Sequence, residues 1–315
     1  MTARPRTLVL VAVLGGGVVA VSTGALFTRA AYQSAGVGTL GGGLLLAVGR
    51  MGVTSGLTSA SWARRGRPLA PLPPGTRWRT VLAGLLLGIH FATWLPSLAF
   101  TSIAASVTLV TTVPIWVALL LWIKGERPSA RTGLGIAVAV AGGALVAFGD
   151  VDGLDSGSNP LLGDALALVA AITFAGHLLL SQSVQQRGLG LWQWTSVVTG
   201  LGALTVVPLV LVVAPGDGPY PLGFWAAALG LALVPQMVGH SSLIWSVRWL
   251  SPTLVSVAIL LEPLFSSLGG IVLFDEVPGA LVALGGLVLL AGVALTVVAE
   301  AGSAPTVAED ALVPT

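Results

Sequence analysis

Apolar runs long enough to cross a membrane dominate this sequence. The hydrocarbon core of a bilayer is about 30 Å thick, so a spanning helix needs roughly 20 mostly apolar residues. Ten such segments are separated by short polar or Pro/Gly-rich links, at residues 8–27, 37–59, 78–98, 102–123, 132–148, 161–181, 192–213, 222–247, 252–274 and 279–298. Only 8% of the residues are charged, against about 25% in soluble domains. The sequence therefore predicts an all-α membrane protein whose outer surface faces lipid.

The basic residues predict the orientation of these segments. If the N-terminus is cytoplasmic and every segment crosses, twelve of the 14 Lys and Arg residues fall on the cytoplasmic side. Arg29 falls outside, and Arg50 lies within the second segment. This bias follows the positive-inside rule. We expect a multi-pass protein of the inner or plasma membrane with both termini cytoplasmic and a disordered tail at residues 300–315. The first segment is too long for an ordinary signal peptide, so we expect it to be retained.

The fourth and ninth segments share a pattern at a shift of about 150 residues. They read SIAASVTLVTTVPIWVALLLWIKGERP and SPTLVSVAILLEPLFSSLGGIVLFDEVP. Each contains a mid-helix proline, Pro114 or Pro263, which is expected to kink the helix because it lacks a backbone N–H. Each ends in Glu-x-Pro, starting at Glu126 or Glu276. Five helices per half is an odd number, so the second half must be inverted. We predict ten transmembrane helices in two inverted five-helix repeats, a plan that recurs in secondary transporters.

These stretches resemble the drug/metabolite transporter superfamily, of the type with two EamA domains. The resemblance rests on LAFTSIAASVTLVTTVPIWVALLLWIKGERPS and VRWLSPTLVSVAILLEPLFSSLGGIVLFDEVP, and Arg50 matches the arginine of the family's second helix. It implies EamA domains at residues 8–149 and 161–299, a central cavity and alternating access. Asp275 departs from the small residue that usually precedes this glutamate, which leaves the fold prediction unchanged.

The same resemblance implies secondary active transport of a small polar metabolite across the cytoplasmic membrane. Many relatives export amino acids or related compounds, and others import their substrates. The sequence Leu261-Glu262-Pro263 is similar to one found in predicted amino-acid exporters, although it is not confined to them. Efflux of amino acids or related metabolites is therefore the expectation, with uptake by a carrier of the same fold as the alternative.

Glu262 is the strongest candidate for a binding residue. It lies near the middle of the ninth segment, where an ionisable group costs at least about 2.5–3.5 kcal/mol. The adjacent Pro263 is expected to leave the Ile259 carbonyl free as a polar lining group. We interpret Glu262 as a site for a substrate ammonium group or a proton. The alternative is a structural glutamate, either protonated or paired with Arg50.

All three histidines of the chain, His90, His177 and His240, lie inside predicted spans. Histidine titrates near neutral pH, so each could relay protons. Each could equally be a neutral, hydrogen-bonded packing residue. His240 is the best candidate of the three because a glycine precedes it and two serines follow it.

Four other residues are candidates of lower weight. Arg50 could bind a carboxylate with its planar fork, snorkel to the cytoplasmic face, or form a structural pair. Gln236 is a polar residue at mid-membrane. Trp94 and Trp245 follow a histidine by about one helical turn, so they either shape the cavity or pack. The tryptophans predicted by position to be mostly interfacial anchors are Trp116, Trp122, Trp192, Trp194, Trp225 and Trp249.

Two further features are interpreted as structural. Small residues at every fourth position from Gly135 to Ala147 predict close helix packing. Glu126 and Glu276 precede helices that begin with proline, and an acid near a helix N-terminus complements its dipole.

The sequence argues against several classes of protein and site. It has no cysteine, which excludes disulfides and thiolate metal sites. The Gly-His-Ser-Ser run from Gly239 has Leu243 where a serine-hydrolase elbow needs glycine, and neither H-E-x-x-H nor a P-loop occurs. We therefore expect no enzyme activity, metal or other cofactor, and no nucleic-acid partner. An intramembrane enzyme and a non-transporting membrane protein remain the alternatives. The expected partners are a small-molecule substrate, the lipid bilayer and protons as a candidate coupling ion; a homodimer is allowed.

Overall fold

The computed structural model describes residues 5–36, 38–64, 72–125, 129–151, 157–213 and 219–301. Glu126 and residues 302–315 of the expected tail lie outside these ranges.

Helices account for nearly all of the described residues, among which there is no strand. The ten apolar helical segments are α1 (Thr7–Ala35), α2 (Leu40–Arg64), α3 (Arg77–Ser97), α4 (Ile103–Ile123), α5 (Ala130–Val151), α6 (Pro160–Gln185), α7 (Leu191–Val213), α8 (Leu222–Ser246), α9 (Pro252–Phe274) and α10 (Ala280–Ala301). Eight of them are long and apolar enough to cross a membrane, and α5 and α10 contain shorter apolar stretches. The predicted all-α membrane fold is confirmed, and the number of helices agrees with the predicted ten.

Large apolar side chains cover the outside of the bundle. Leu8, Val212, Leu222 and Val272 are each about four-fifths exposed. An apolar exterior of this extent suits lipid, since soluble monomers rarely expose large contiguous apolar patches. The interior, in contrast, contains polar groups that include the fully buried Arg50.

Contacts between helix ends define two opposite faces of the bundle. At one face the Asn159 amide, just before α6, donates to the Phe100 carbonyl, just after α3 (3.1 Å). At the other face the hydroxyls of Ser59 near the end of α2 and Ser196 near the start of α7 lie 2.6 Å apart. Helices that are odd and even in chain order therefore run in opposite directions, and α1 and α6 start from opposite faces.

The packing partners of α1–α5 correspond to those of α6–α10. The α3–α6 contact has its counterpart in α8–α1, and α4–α6 has its counterpart in α9–α1. In addition, α2 packs on α7, α4 on α9 and α5 on α10. If each helix of α1–α5 is exchanged with its counterpart in α6–α10, the same pairs of helices remain in contact. This is the pattern expected of two inverted units. The boundaries 8–149 and 161–299 stay a prediction.

Helices α4 and α9 are both interrupted near their middle. In α4 a two-residue turn precedes the segment that contains Pro114, and in α9 the 3₁₀ turn Ile259–Leu261 precedes Pro263. Both breaks lie at the prolines expected to kink these helices. The Ile259 carbonyl is not free, however, because the Glu262 N–H bonds to it. The prediction of a free carbonyl was wrong, because in the 3₁₀ turn the Ile259 oxygen accepts the N–H of the residue three positions later.

The ends of α4 and α9 also correspond. Gly125 after α4 has φ 98°, and Asp275 after α9 has φ 58°. Aspartate adopts this left-handed conformation more readily than most residues. Asp275 can therefore stand where a small residue is usual.

Close backbone approach joins α5 to α10. A Cβ atom added to Gly142 would overlap the backbone of Leu289, and one added to Gly292 would overlap that of Ala139. Small residues thus form this contact, and Ala139 belongs to the predicted series. Gly142 lies outside that series, and a Cβ on Gly143 would meet only side chains, at 3.7 and 3.8 Å. The side chain of Ala147 lies outside the described residues.

Candidate functional site

Two small cavities lie inside the bundle, and His240 borders both. They offer about 20 Å³ and about 10 Å³ of room to the centre of a water molecule, which is space for about one water each. The first is lined by residues that include His90, Trp94, Phe174, His240 and Glu262. The second is lined by residues that include His177, Trp194, Gln236 and His240. Both cavities are therefore small, and each is lined by polar as well as apolar side chains.

Glu262 turns its carboxylate toward the first cavity. It is the first residue after the 3₁₀ turn of α9 and is 6% exposed. Among the described residues, no hydrogen-bond donor lies within bonding distance of its carboxylate, and Arg50 is not within 4.0 Å of it. The expected alternative of an ion pair with Arg50 is not formed. The carboxylate consequently faces a space that a ligand or water could fill.

Arg50 lies at the middle of α2 and is 0% exposed. Its Nε donates to Gln236 Oε1 at 2.7 Å, and its guanidinium carbon lies 4.0 Å from the centre of the Phe91 ring. Within the described part of the chain, Nη1 and Nη2 have no hydrogen-bond partner. Arg50 does not snorkel, because its side chain is enclosed by α2, α3 and α8 far from either helix end.

His90 and His177 are each held by a backbone carbonyl. The Nδ1 atom of His90 lies 2.9 Å from the Ala170 oxygen, and that of His177 lies 2.9 Å from the Ala83 oxygen. A carbonyl can only accept, so Nδ1 carries the proton in both rings. Each imidazole can then accept a hydrogen bond at Nε2. For His177 the Ser181 hydroxyl is 3.3 Å from that atom.

His240 and Trp94 lack the partners that the other two histidines have. His240 is 7% exposed and Trp94 is 3% exposed. No described residue bonds to His240 Nδ1 or Trp94 Nε1. A Cβ atom on Gly24 would lie 2.8 Å from the edge of the Trp94 ring, so this glycine makes room for the indole.

Helix α8 contains a π-helical segment, Ala232–His240, that hydropathy does not reveal. The segment includes Pro235, which removes one backbone donor. Gln236 and His240 both line the second cavity from this segment. Single π turns occur frequently at functional sites. Pro235, in the middle of the predicted span, is the sequence feature that could have indicated this segment.

Two aromatic residues of the site were missed. Phe174 lies among the three histidine rings, with ring centres 4.9 Å from His90, 5.7 Å from His177 and 5.3 Å from His240. Trp194 is 1% exposed and lines the second cavity, so its prediction as an interfacial anchor was wrong. It lies two residues after the exposed Trp192, and that spacing alone points it to the opposite side of the helix.

Trp245 is the one candidate that lies apart from the other predicted site residues. It is half-buried and packs edge-to-face against Trp249 at 6.3 Å. Among the described residues, the linings of the two cavities do not include it.

Glu276 joins three parts of the chain at one face of the bundle. Its carboxylate pairs with Arg29 Nε at 2.5 Å and accepts the Ile103 N–H at 3.1 Å. Arg29 also donates to the carbonyls of Leu98 and Thr101 at 2.8 and 3.1 Å. Glu276 therefore complements the N-terminus of α4 rather than that of the helix that follows it, which corrects the prediction. The cluster connects α1, the α3–α4 link and the α9–α10 link.

Comparison with known proteins supports one type of transporter. Residues 161–298 match the EamA-like transporter family. An uncharacterized transporter of Archaeoglobus fulgidus is 24% identical over 202 residues, which are 64% of this chain and 70% of that protein. The uncharacterized transporter YxxF of Bacillus subtilis is 24% identical over 234 residues, 73% of each chain.

A second uncharacterized transporter of Archaeoglobus fulgidus is 26% identical over 248 residues, 75% of this chain and 81% of that protein. A solved crystal structure has the same fold, with a TM-score of 0.65 at 18% identity over 93% of this chain and 99% of that one. The second half of the chain thus matches an EamA domain, and the comparisons support a transporter of the EamA type, within the drug/metabolite transporter superfamily.

Proposed function

We propose that this transporter is a secondary active carrier whose substrate, a small polar metabolite, binds around Glu262. The observation that carries the proposal is the buried Glu262 carboxylate, which faces a cavity without a described protein partner. An ionised group at this depth costs at least about 2.5–3.5 kcal/mol. A substrate ammonium group or a proton would offset that cost. His240 borders the same cavity and is a second candidate for carrying a coupling proton.

Two observations support an amino acid or a related metabolite as the substrate, and the first of them also favours efflux. The sequence Leu261-Glu262-Pro263 resembles that of predicted amino-acid exporters. A carboxylate faces the cavity, and the guanidinium of Arg50 lies close by, so groups of both charges are available to a zwitterionic solute. Uptake by the same fold is the alternative direction.

Alternating access would expose this site to each side of the cytoplasmic membrane in turn. We take residues 8–149 and 161–299 as the two units that rearrange, with the breaks in α4 and α9 as their hinges. The ion pair between Arg29 and Glu276 joins α1, of the first unit, to the α9–α10 link of the second. If both termini are cytoplasmic, this pair closes the outward side. Opening to that side then requires the pair to separate.

Counterflow in vesicles tests this proposal. The purified protein is reconstituted with an unlabelled amino acid inside, and uptake of the labelled amino acid is followed for each of the common amino acids. We expect saturable counterflow for at least one of them, above the level in protein-free vesicles. Correctly folded protein that gives no counterflow with any of them would overturn the substrate assignment.

A further inference from the structure

Four buried polar atoms without described partners belong to three side chains that all approach the Phe91 ring. They are Nη1 and Nη2 of Arg50, Nε1 of Trp94 and Nδ1 of His240. The three side chains come from α2, α3 and α8, and each is at least nine-tenths buried. A buried polar atom left unsatisfied typically costs about 1–3 kcal/mol. Such a concentration calls for a ligand that bonds to these atoms.

The three side chains surround the Phe91 ring. The guanidinium carbon of Arg50 lies 4.0 Å from its centre, and the His240 ring centre lies 5.2 Å from it. The Trp94 ring centre is 6.4 Å from that of Phe91, and the Arg50 guanidinium is 5.9 Å from the Trp94 ring. Trp94 and His240 also line the first cavity, which Glu262 shares.

The unpartnered atoms are mainly donors. Guanidinium and indole N–H groups donate and cannot accept. Gln236 occupies only Nε of Arg50, so the two Nη atoms remain as a planar fork. Such a fork matches the two oxygens of a carboxylate. The missing partner is therefore an acceptor group that carries negative charge.

We propose that Arg50 and Trp94, with His240 beside them, form the subsite for a carboxylate group of the transported solute. The proposal deepens the proposed function, because it identifies which part of the solute binds away from Glu262. One guanidinium balances a single negative charge. The Glu262 carboxylate in the same cavity repels any anion, and it would repel a phosphate dianion about twice as strongly as a carboxylate.

Acetate is the probe for this subsite, with acetamide as its neutral counterpart. The thermal unfolding midpoint of the purified protein is measured in acetate, and in chloride or acetamide at matched ionic strength. Acetate should raise the midpoint above both references by on the order of 2 °C, because a ligand stabilises the state that binds it. In Glu262→Gln the acetate response should grow, since the neighbouring negative charge is gone.

Substitutions at Arg50 and Trp94 test whether acetate binds at the proposed subsite. Arg50→Lys keeps the charge and loses the fork, and Trp94→Phe keeps a ring and loses the donor; both should lose most of the acetate response. Trp249→Phe is the matched control, because it removes an indole N–H that also lacks a described partner but lies outside both cavity linings. Its response should equal that of wild type. Trp94→Phe tests the subsite even if Arg50→Lys does not fold.

Three results would overturn the subsite: equal responses to acetate, chloride and acetamide in both wild type and Glu262→Gln; an acetate response that Trp94→Phe retains in full; or a stronger response to phosphate than to acetate. Failure of the subsite can be distinguished from failure of the proposed transport function. An acetate response without counterflow would contradict transport and leave the subsite standing. Counterflow without an acetate response would support transport and contradict the subsite.

Discussion

His90 and His177 hold each other's helices by two equivalent hydrogen bonds. His90 Nδ1 donates to the carbonyl of Ala170, seven residues before His177, and His177 Nδ1 donates to the carbonyl of Ala83, seven residues before His90. Both distances are 2.9 Å. The antiparallel helices α3 and α6, one from each half, are therefore joined at two points beside the cavities. These imidazoles have a structural role that His240 lacks.

Replacing His177 or His240 by leucine should distinguish a histidine that stabilises the fold from one that takes part in transport. His177→Leu removes the second hydrogen bond to the Ala83 carbonyl, which keeps its backbone bond within α3, so we expect a loss of about 0.5–1.5 kcal/mol in unfolding free energy. His240→Leu breaks no such bond and should keep or raise the thermal midpoint while it lowers counterflow. Thermal unfolding in detergent and vesicle counterflow measure the two effects. Equal destabilisation by both substitutions would contradict this division of roles.

The room for Trp94 depends on Gly24. In Gly24→Ala the new Cβ would lie 2.8 Å from the Trp94 ring and must displace it. We expect destabilisation of about 1–3 kcal/mol, as is typical of overpacking, together with weaker transport. Gly16→Ala is the control in the same helix, since nothing lies within 4 Å of its added Cβ. If the two variants behaved alike in unfolding and counterflow, the assigned contact would be incorrect.

The Arg29–Glu276 pair should hold one face of the bundle closed. Because the chain has no cysteine, Thr111→Cys would place a single thiol in the lining of the first cavity. Adding Glu276→Gln should speed its labelling by a membrane-impermeant maleimide several-fold, since the ion pair opposes opening. Asp275→Asn, at the next residue, is the control and should leave the rate unchanged. An unaltered labelling rate in Glu276→Gln would exclude the pair as a closing contact.

Much of the fold and part of the site can be predicted from sequence because a bilayer makes polar residues costly. Span length and the prolines of α4 and α9 predict the helices and their breaks, and the cost of burying a charge singles out Glu262. The bond from Arg50 to Gln236 joins residues 186 apart in sequence, which no local pattern encodes. Phe174 was missed because helices that face lipid on one side are apolar on every side, so hydropathy does not distinguish the inner residues.

The counterflow activity of Glu262→Gln tests the central claim most directly. Glutamine keeps the shape of the side chain and removes a buried charge without a described partner, so folding should be preserved or improved. We expect counterflow to fall at least tenfold, the loss of about 1.4 kcal/mol of productive interaction, while Asp275→Asn stays at the wild-type rate. Wild-type counterflow in Glu262→Gln, at equal protein in the vesicles, would contradict a substrate site around this carboxylate.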